Sequence, residues 1–327
     1  MTRAATNPLP RISSQPRRGA WAVLRERVIE ACLLLAAISS ILITSGIVFI
    51  LVSESLPFFR HVSVIEFLTA RHWTPLFDNP SFGILPLVSG TLLTTFVALL
   101  IAMPVGTIIA IWLSEFAPPK LRELVKPLLE MLAAVPTVVY GYFAVTILSP
   151  LLQRALSPIF PDIATFNVLC AGLVMGLMIV PYVCSLSEDA MRAVPMLLRE
   201  GSYGMGANRT TTALRVVFPA ALSGIAAAYT LAISRAVGET MIVAIAAGMQ
   251  PNLPTIHLLQ PLDTFENVFL SPSATISAFI VQVSQGDLPH GTIGYQSIFA
   301  AGITLFVMTL GFNLLGAALR RRYRQGY

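Results

Sequence analysis

The chain is expected to be an all-α integral membrane protein with six transmembrane helices, and three observations carry that expectation. Its composition, 55% hydrophobic and 11% charged over 327 residues with a mean hydropathy of +0.76, lies outside the range of soluble domains. Its apolar residues gather in runs of ~20, the length that crosses a ~30 Å hydrocarbon core. Its 21 Lys and Arg fall in alternating connecting segments with a one-sided bias.

Residues 1–27 form a basic tail, and the first helix is assigned to 28–53 around an apolar run at 31–52. That run is longer than the ~7–15 residues of a cleavable signal, so it is read as a retained anchor. An external loop at 54–84 leads to a core over 85–320 with five further spans, at roughly 85–113, 127–153, 167–186, 222–246 and 297–319. A cytoplasmic segment at 187–219 and an external one at 247–296 connect them, and a tail at 321–327 closes the chain.

Orientation follows from the positive-inside rule. Arg3, Arg11, Arg17, Arg18, Arg25 and Arg27 lie in the N-terminal tail, and Lys120, Arg122 and Lys126 precede the third span. Arg192, Arg199, Arg209 and Arg215 precede the fifth, and Arg320, Arg321, Arg322 and Arg324 follow the last. The opposite side carries only Arg60, Arg71 and Arg154, so both termini are expected to be cytoplasmic. The net charge of +5 is spread over these short segments without a basic, aromatic-interleaved patch, which argues against nucleic acid. Cys32, Cys170 and Cys184 all fall in expected spans without C-x-x-C spacing and read as packing residues. His61, His72, His257 and His290 fall in external segments without metal-ligand spacing and read as solvated. Glu130 reads as an interfacial acid.

The fifth span is unusual in holding two opposite charges, Arg235 and Glu239. A charge near the bilayer centre costs at least ~2.5–3.5 kcal/mol, so residues of this kind mark a polar path or a ligand site. The competing reading is an i,i+4 ion pair on one helix face. At ~1.5 Å per residue Arg235 lies ~20 Å from a helix start near Leu222, past the midplane. Ser234 and Thr240 place hydroxyls nearby, and in membrane helices such groups serve packing and backbone bonding as well as solute contact.

The segment Glu200-Gly-Ser-Tyr-Gly-Met-Gly206-Ala207, running on to Val217-Phe-Pro219, reads as helix, turn, helix. Glu200 begins a short segment, Gly206 permits the bend, Thr210 can cap the second helix and Pro219 resets the chain at the membrane. No G-x-x-x-x-G-K-S/T is present, so ATP is not held by that route, and neither H-E-x-x-H nor G-x-S-x-G marks an intramembrane enzyme. A channel or ion-coupled carrier would also explain an intramembrane Arg and Glu, but it has no need of the hairpin.

Glu200, Gly206-Ala207 and Pro219 resemble the EAA loop of ABC importer permeases, with Gly201 and Ser202 where alanines are common. Gly83-Ile-Leu-Pro-Leu-Val-Ser-Gly-Thr-Leu-Leu-Thr-Thr, Glu130-Met-Leu-Ala-Ala-Val-Pro136-Thr-Val-Val-Tyr-Gly141 and Arg235-Ala-Val-Gly-Glu-Thr-Met241 are similar to the PstC-type phosphate permeases of that family. The resemblance covers roughly residues 54–246. It implies a type I ABC importer permease fold in a bacterial plasma (inner) membrane, and a phosphate path through Arg235 with Glu239 as counter-charge. It also implies a coupling loop of Glu200, Gly201, Ser202, Gly206, Ala207 and Pro219. The implied partners are a second permease subunit, an ATPase dimer and an external phosphate-binding protein, with membrane lipid around them. The implied cofactors, ATP and Mg, belong to the ATPase and not to this chain. Sulfate and molybdate suit an Arg-lined path equally well, so the choice of phosphate comes from the resemblance.

Overall fold

The computed structural model describes residues 20–77, 79–255, 260–289 and 291–322. Arg3, Arg11, Arg17, Arg18, His257, His290 and Arg324 lie outside the described residues. The chain divides into two units, Met1–Ile50 and Leu51–Tyr327. In the first, the described residues belong to helix α1 (Ala20–His61), and none of residues 24–50 is buried. Cys32 is exposed there, which corrects its reading as a packing residue, whereas Cys170 and Cys184 are fully buried in the second unit.

The second unit opens with the end of α1, which continues to His61, and helix α2 (Val64–Thr69). The expected loop at 54–84 is ordered by aromatic packing. Phe58 meets Phe59, Phe67 and Phe82 edge-on at 5.2–5.7 Å, and Trp73 meets Phe279 at 4.9 Å. Helix α3 (Leu85–Ile111) starts with Pro86 in its first turn, where a missing N–H costs nothing, and finishes in a π-helical turn at Trp112–Phe116. Helix α4 (Pro119–Ala133) carries charges on one face. It turns through 84° into α5 (Thr137–Phe143), which runs through a π-turn at Ala144–Leu148 into α6 (Ser149–Leu156). The expected unbroken span at 127–153 is therefore corrected. Pro136 disfavours helical geometry in the residue before it, and the Tyr140 hydroxyl donates to the Leu132 carbonyl at 2.8 Å beside the bend.

Helix α7 (Val168–Arg192) is capped by the Asn167 side chain, which accepts from Cys170 N at 2.7 Å, and it extends past the expected boundary at 186. It runs parallel to α3 at close range: a Cβ on Gly172 would stand 2.5 Å from Val97 Cβ, one on Gly176 2.8 Å from the Ala98 carbonyl, and one on Gly106 2.8 Å from Val183 Cβ. Gly172-Leu-Val-Met-Gly176 is the small-xxx-small spacing that lets membrane helices approach backbone to backbone. Helices α8 (Met196–Gly204), α9 (Arg209–Thr212) and α10 (Phe218–Ala220) form the connection to α11 (Leu222–Val237), which returns antiparallel against α7 and α3. After α12 (Met241–Ala246), the segment at 247–296 is folded rather than loose. It holds α13 (Pro261–Phe265) and α14 (Ile276–Gln282), pinned to α3 where Ile276 N donates to Thr91 Oγ1 at 3.1 Å. Helix α15 (Ile293–Arg322) closes the unit against α11 and ends in Arg320, Arg321 and Arg322.

Among the described residues, four helices are long and apolar enough to cross a membrane, and six spans result if each of two bent pairs counts as one. Lys126, Arg192, Arg199, Arg209 and Arg320 gather where α3, α7 and α15 finish, here termed the basic end.

Candidate functional site

The fifth span breaks between its two charges. Helix α11 stops at Val237, Gly238 N bonds Ser234 O and Glu239 N bonds Ala236 O, both at 3.2 Å, and α12 starts only at Met241. The expected i,i+4 face is thus absent, and no ion pair links Arg235 to Glu239. Arg235 occupies the last turn of α11, is exposed, and makes no hydrogen bond to a described residue. Its guanidinium lies 5.6 Å from the centroid of the Tyr182 ring on α7. Glu239 is 9% exposed. Its Oε1 accepts from Ile242 N at 3.4 Å, and its carbonyl accepts from the Ser277 hydroxyl at 2.7 Å. Each charge therefore sits at a helix end of the opposite polarity, the cation at a C-terminus and the carboxylate at an N-terminus.

The neighbouring hydroxyls separate. Ser234 faces α15, with its Oγ 3.0 Å from the Thr230 carbonyl and 2.9 Å from Asn313 Oδ1. Thr240 turns back to the Gly238 carbonyl at 3.3 Å and stays at the break with Glu239.

The connection between α7 and α11 is a two-armed hairpin. Its first arm, α8, begins at Met196 after Pro195 rather than at Glu200, which is exposed in mid-helix. Gly206 makes the turn at φ +82°, a geometry that L side chains rarely adopt. The second arm is capped by Asn208, whose side chain accepts from Thr211 N at 2.8 Å, which corrects the expectation of a cap at Thr210. Ser202 is buried and ties the arms together through a 2.8 Å bond to Thr212, while Gly201 faces open space and Ala207 N bonds Ser202 O. Pro219 sits in the first turn of α10, before a 68° bend into α11.

Residues 102–325, which contain the hairpin and the charge break, match the family model of the binding-protein-dependent transport system inner membrane component. The chain belongs to this family. A Bacillus subtilis relative, described as a probable ABC transporter permease protein YqgH, is 34% identical over 93% of this chain and 92% of its own length. The Mesorhizobium japonicum and Pasteurella multocida proteins named phosphate transport system permease protein PstC are 33% and 34% identical. Each match covers 75% of this chain, with 74% and 76% of those relatives. A solved bacterial ABC transporter for alginate import shares the fold with a TM-score of 0.61 at 19% identity, over 93% of this chain and 99% of that one.

Within this permease, charged contacts at the basic end escaped sequence reading. Arg199 on α8 reaches the buried Glu115 in the π-turn after α3, at 2.9 Å from Nη2 and 3.5 Å from Nε. It also donates to the carbonyls of Val194 at 2.7 Å and Met191 at 2.9 Å. Lys126 on α4 pairs with the fully buried Glu188 at 2.7 Å and with Asp189, while Arg192 approaches Glu188 at 3.7 Å. Arg209 lies 5.6 Å from the centroid of the Phe116 ring. In sequence these cations counted only toward orientation. Tyr182 carried no charge to mark it, and neither did Tyr229, whose hydroxyl bonds Thr107 at 2.6 Å across α11 and α3.

Proposed function

We propose that this permease carries inorganic phosphate inward as one of two membrane subunits of an ATP-driven, binding-protein-dependent importer. The observation that carries the reading is Arg235, a guanidinium in the fifth span with no ion pair or hydrogen bond among the described residues. A permanently charged planar fork suits bidentate, transient contact with a tetrahedral oxyanion. The PstC relatives support phosphate as that anion.

In this reading the basic end is cytoplasmic, and both termini lie on that side of the bacterial inner membrane. The α8–α10 hairpin, with Glu200, Gly201, Ser202, Gly206, Ala207 and Pro219, docks on a dimeric ATPase that holds ATP and Mg. An external binding protein delivers phosphate at the opposite end. Closure of the ATPase dimer shifts the hairpin and reorients the spans, and phosphate passes Arg235, with Glu239 and Thr240 beside it at the helix break. Ser234 belongs to the same stretch but is engaged with α15.

The test is labelled phosphate uptake by the assembled importer in vesicles, with and without ATP and with excess unlabelled sulfate. Arg235→Gln is expected to abolish uptake while the complex still assembles, since a neutral amide cannot replace the cation. Uptake that survives this change removes Arg235 from the path. Competition by sulfate replaces phosphate with a broader oxyanion class, and uptake indifferent to ATP identifies a carrier or channel.

A further inference from the structure

Both arms of the hairpin pack on the bundle, and the first adds a buried ion pair. Val217 and Ala221, at the end of the second arm, and Leu198 of the first arm pack in one cluster with Leu113 and Met191, and Arg209 lies over the Phe116 ring. Beside this packing an open cleft of about 390 Å³ is lined by Glu115, Arg192, Tyr203 and Arg209, residues of both arms and of the ends of α3 and α7. The Arg199 side chain, 12% exposed, reaches Glu115, 5% exposed, and also donates to the carbonyls of Met191 in the last turn of α7 and of Val194 just beyond it. One guanidinium thus joins α8 to the ends of two helices, and those helices are themselves locked together by glycine contacts. Apolar contacts can slide, whereas a desolvated, multiply hydrogen-bonded pair has one narrow geometry.

We propose that Arg199 and Glu115 are positioning residues for coupling: they fasten the first hairpin arm to α3 and α7 so that displacement of α8 moves that helix pair against α11 and Arg235. The inference rests on the hairpin being the ATPase docking element. Motion then concentrates where α7 and α11 face each other, at Tyr182 and Arg235. The second arm, tied to the first through Ser202 and Thr212, carries the same displacement into α11 through the 68° bend.

The experiment uses the complete importer in proteoliposomes and measures phosphate uptake and ATP hydrolysis in parallel. Two variants are compared with wild type. Glu115→Gln keeps a hydrogen-bond acceptor for Arg199 but removes the charge. The double change Glu115→Leu with Arg199→Met replaces the buried pair with apolar groups of similar bulk, a kind of exchange that folded proteins tolerate. The expected result is near-normal ATP hydrolysis with phosphate carried per ATP reduced roughly tenfold in the double variant and less in Glu115→Gln. An unchanged ratio in either assembled variant, or failure of both to assemble, assigns the pair to fold maintenance and overturns the proposal. Wild-type importer that shows no ATP-dependent phosphate uptake would instead sink the functional reading, so the two failures are distinct.

Discussion

Arg235 is held by the face of an aromatic ring rather than by a carboxylate, and this arrangement sets what a substitution at Tyr182 should do. The ring attracts the guanidinium without occupying its N–H donors, an interaction of ~0.5–2 kcal/mol. Tyr182→Phe keeps the ring and is expected to keep uptake, whereas Tyr182→Leu should raise the KM for uptake by roughly two- to tenfold. Equal kinetics for the two variants would show that the ring does not position the cation. Arg235 and Glu239 were legible in the sequence as charges in an apolar run. Their relation was not, because i,i+4 spacing implies a shared face only while the helix continues, and Gly238 ends it. Tyr182 is one more apolar-bodied side chain in a span until its partner across the helix interface is known.

Helix packing shows the same division between what a sequence states locally and what depends on distant partners. The α3–α7 pair is set by Gly172 and Gly176, where an added Cβ would sit 2.5 Å from Val97 Cβ and 2.8 Å from the Ala98 carbonyl. Gly176→Val must force the backbones apart, at an overpacking cost of about 1–3 kcal/mol, read as a lower thermal midpoint of the purified permease. A midpoint equal to wild type would mean that the interface relaxes freely. Six apolar runs were readable from hydropathy alone. The 84° and 68° bends were not, because a window average ignores Pro136 at one joint, and the second bend falls at Ala221 after a run that Pro219 already interrupts. The segment at 247–296 lacked any signal for its folding, since its partners include Thr91, Val168 and Glu239 from other elements.

For the whole molecule, the proposed placement of the basic end at the cytoplasm makes a prediction independent of transport. In a Cys32→Ala background, expressed without the ATPase, Gly201→Cys should react with a membrane-impermeant maleimide only in inside-out vesicles. Asp162→Cys, exposed near the opposite end, should react only in right-side-out ones. Labelling of both from one face would reverse or break the topology. The helix break at Gly238 also bears on how fast such a molecule can turn over. Had Arg235 and Glu239 been joined, every passing anion would first have to evict a resident carboxylate, and the charges would have to re-pair after each cycle. With each charge steadied by its own helix end, an anion on the proposed path has no ion pair to displace on arrival and leaves none to be remade on departure. Such a path can draw an anion in and still release it quickly.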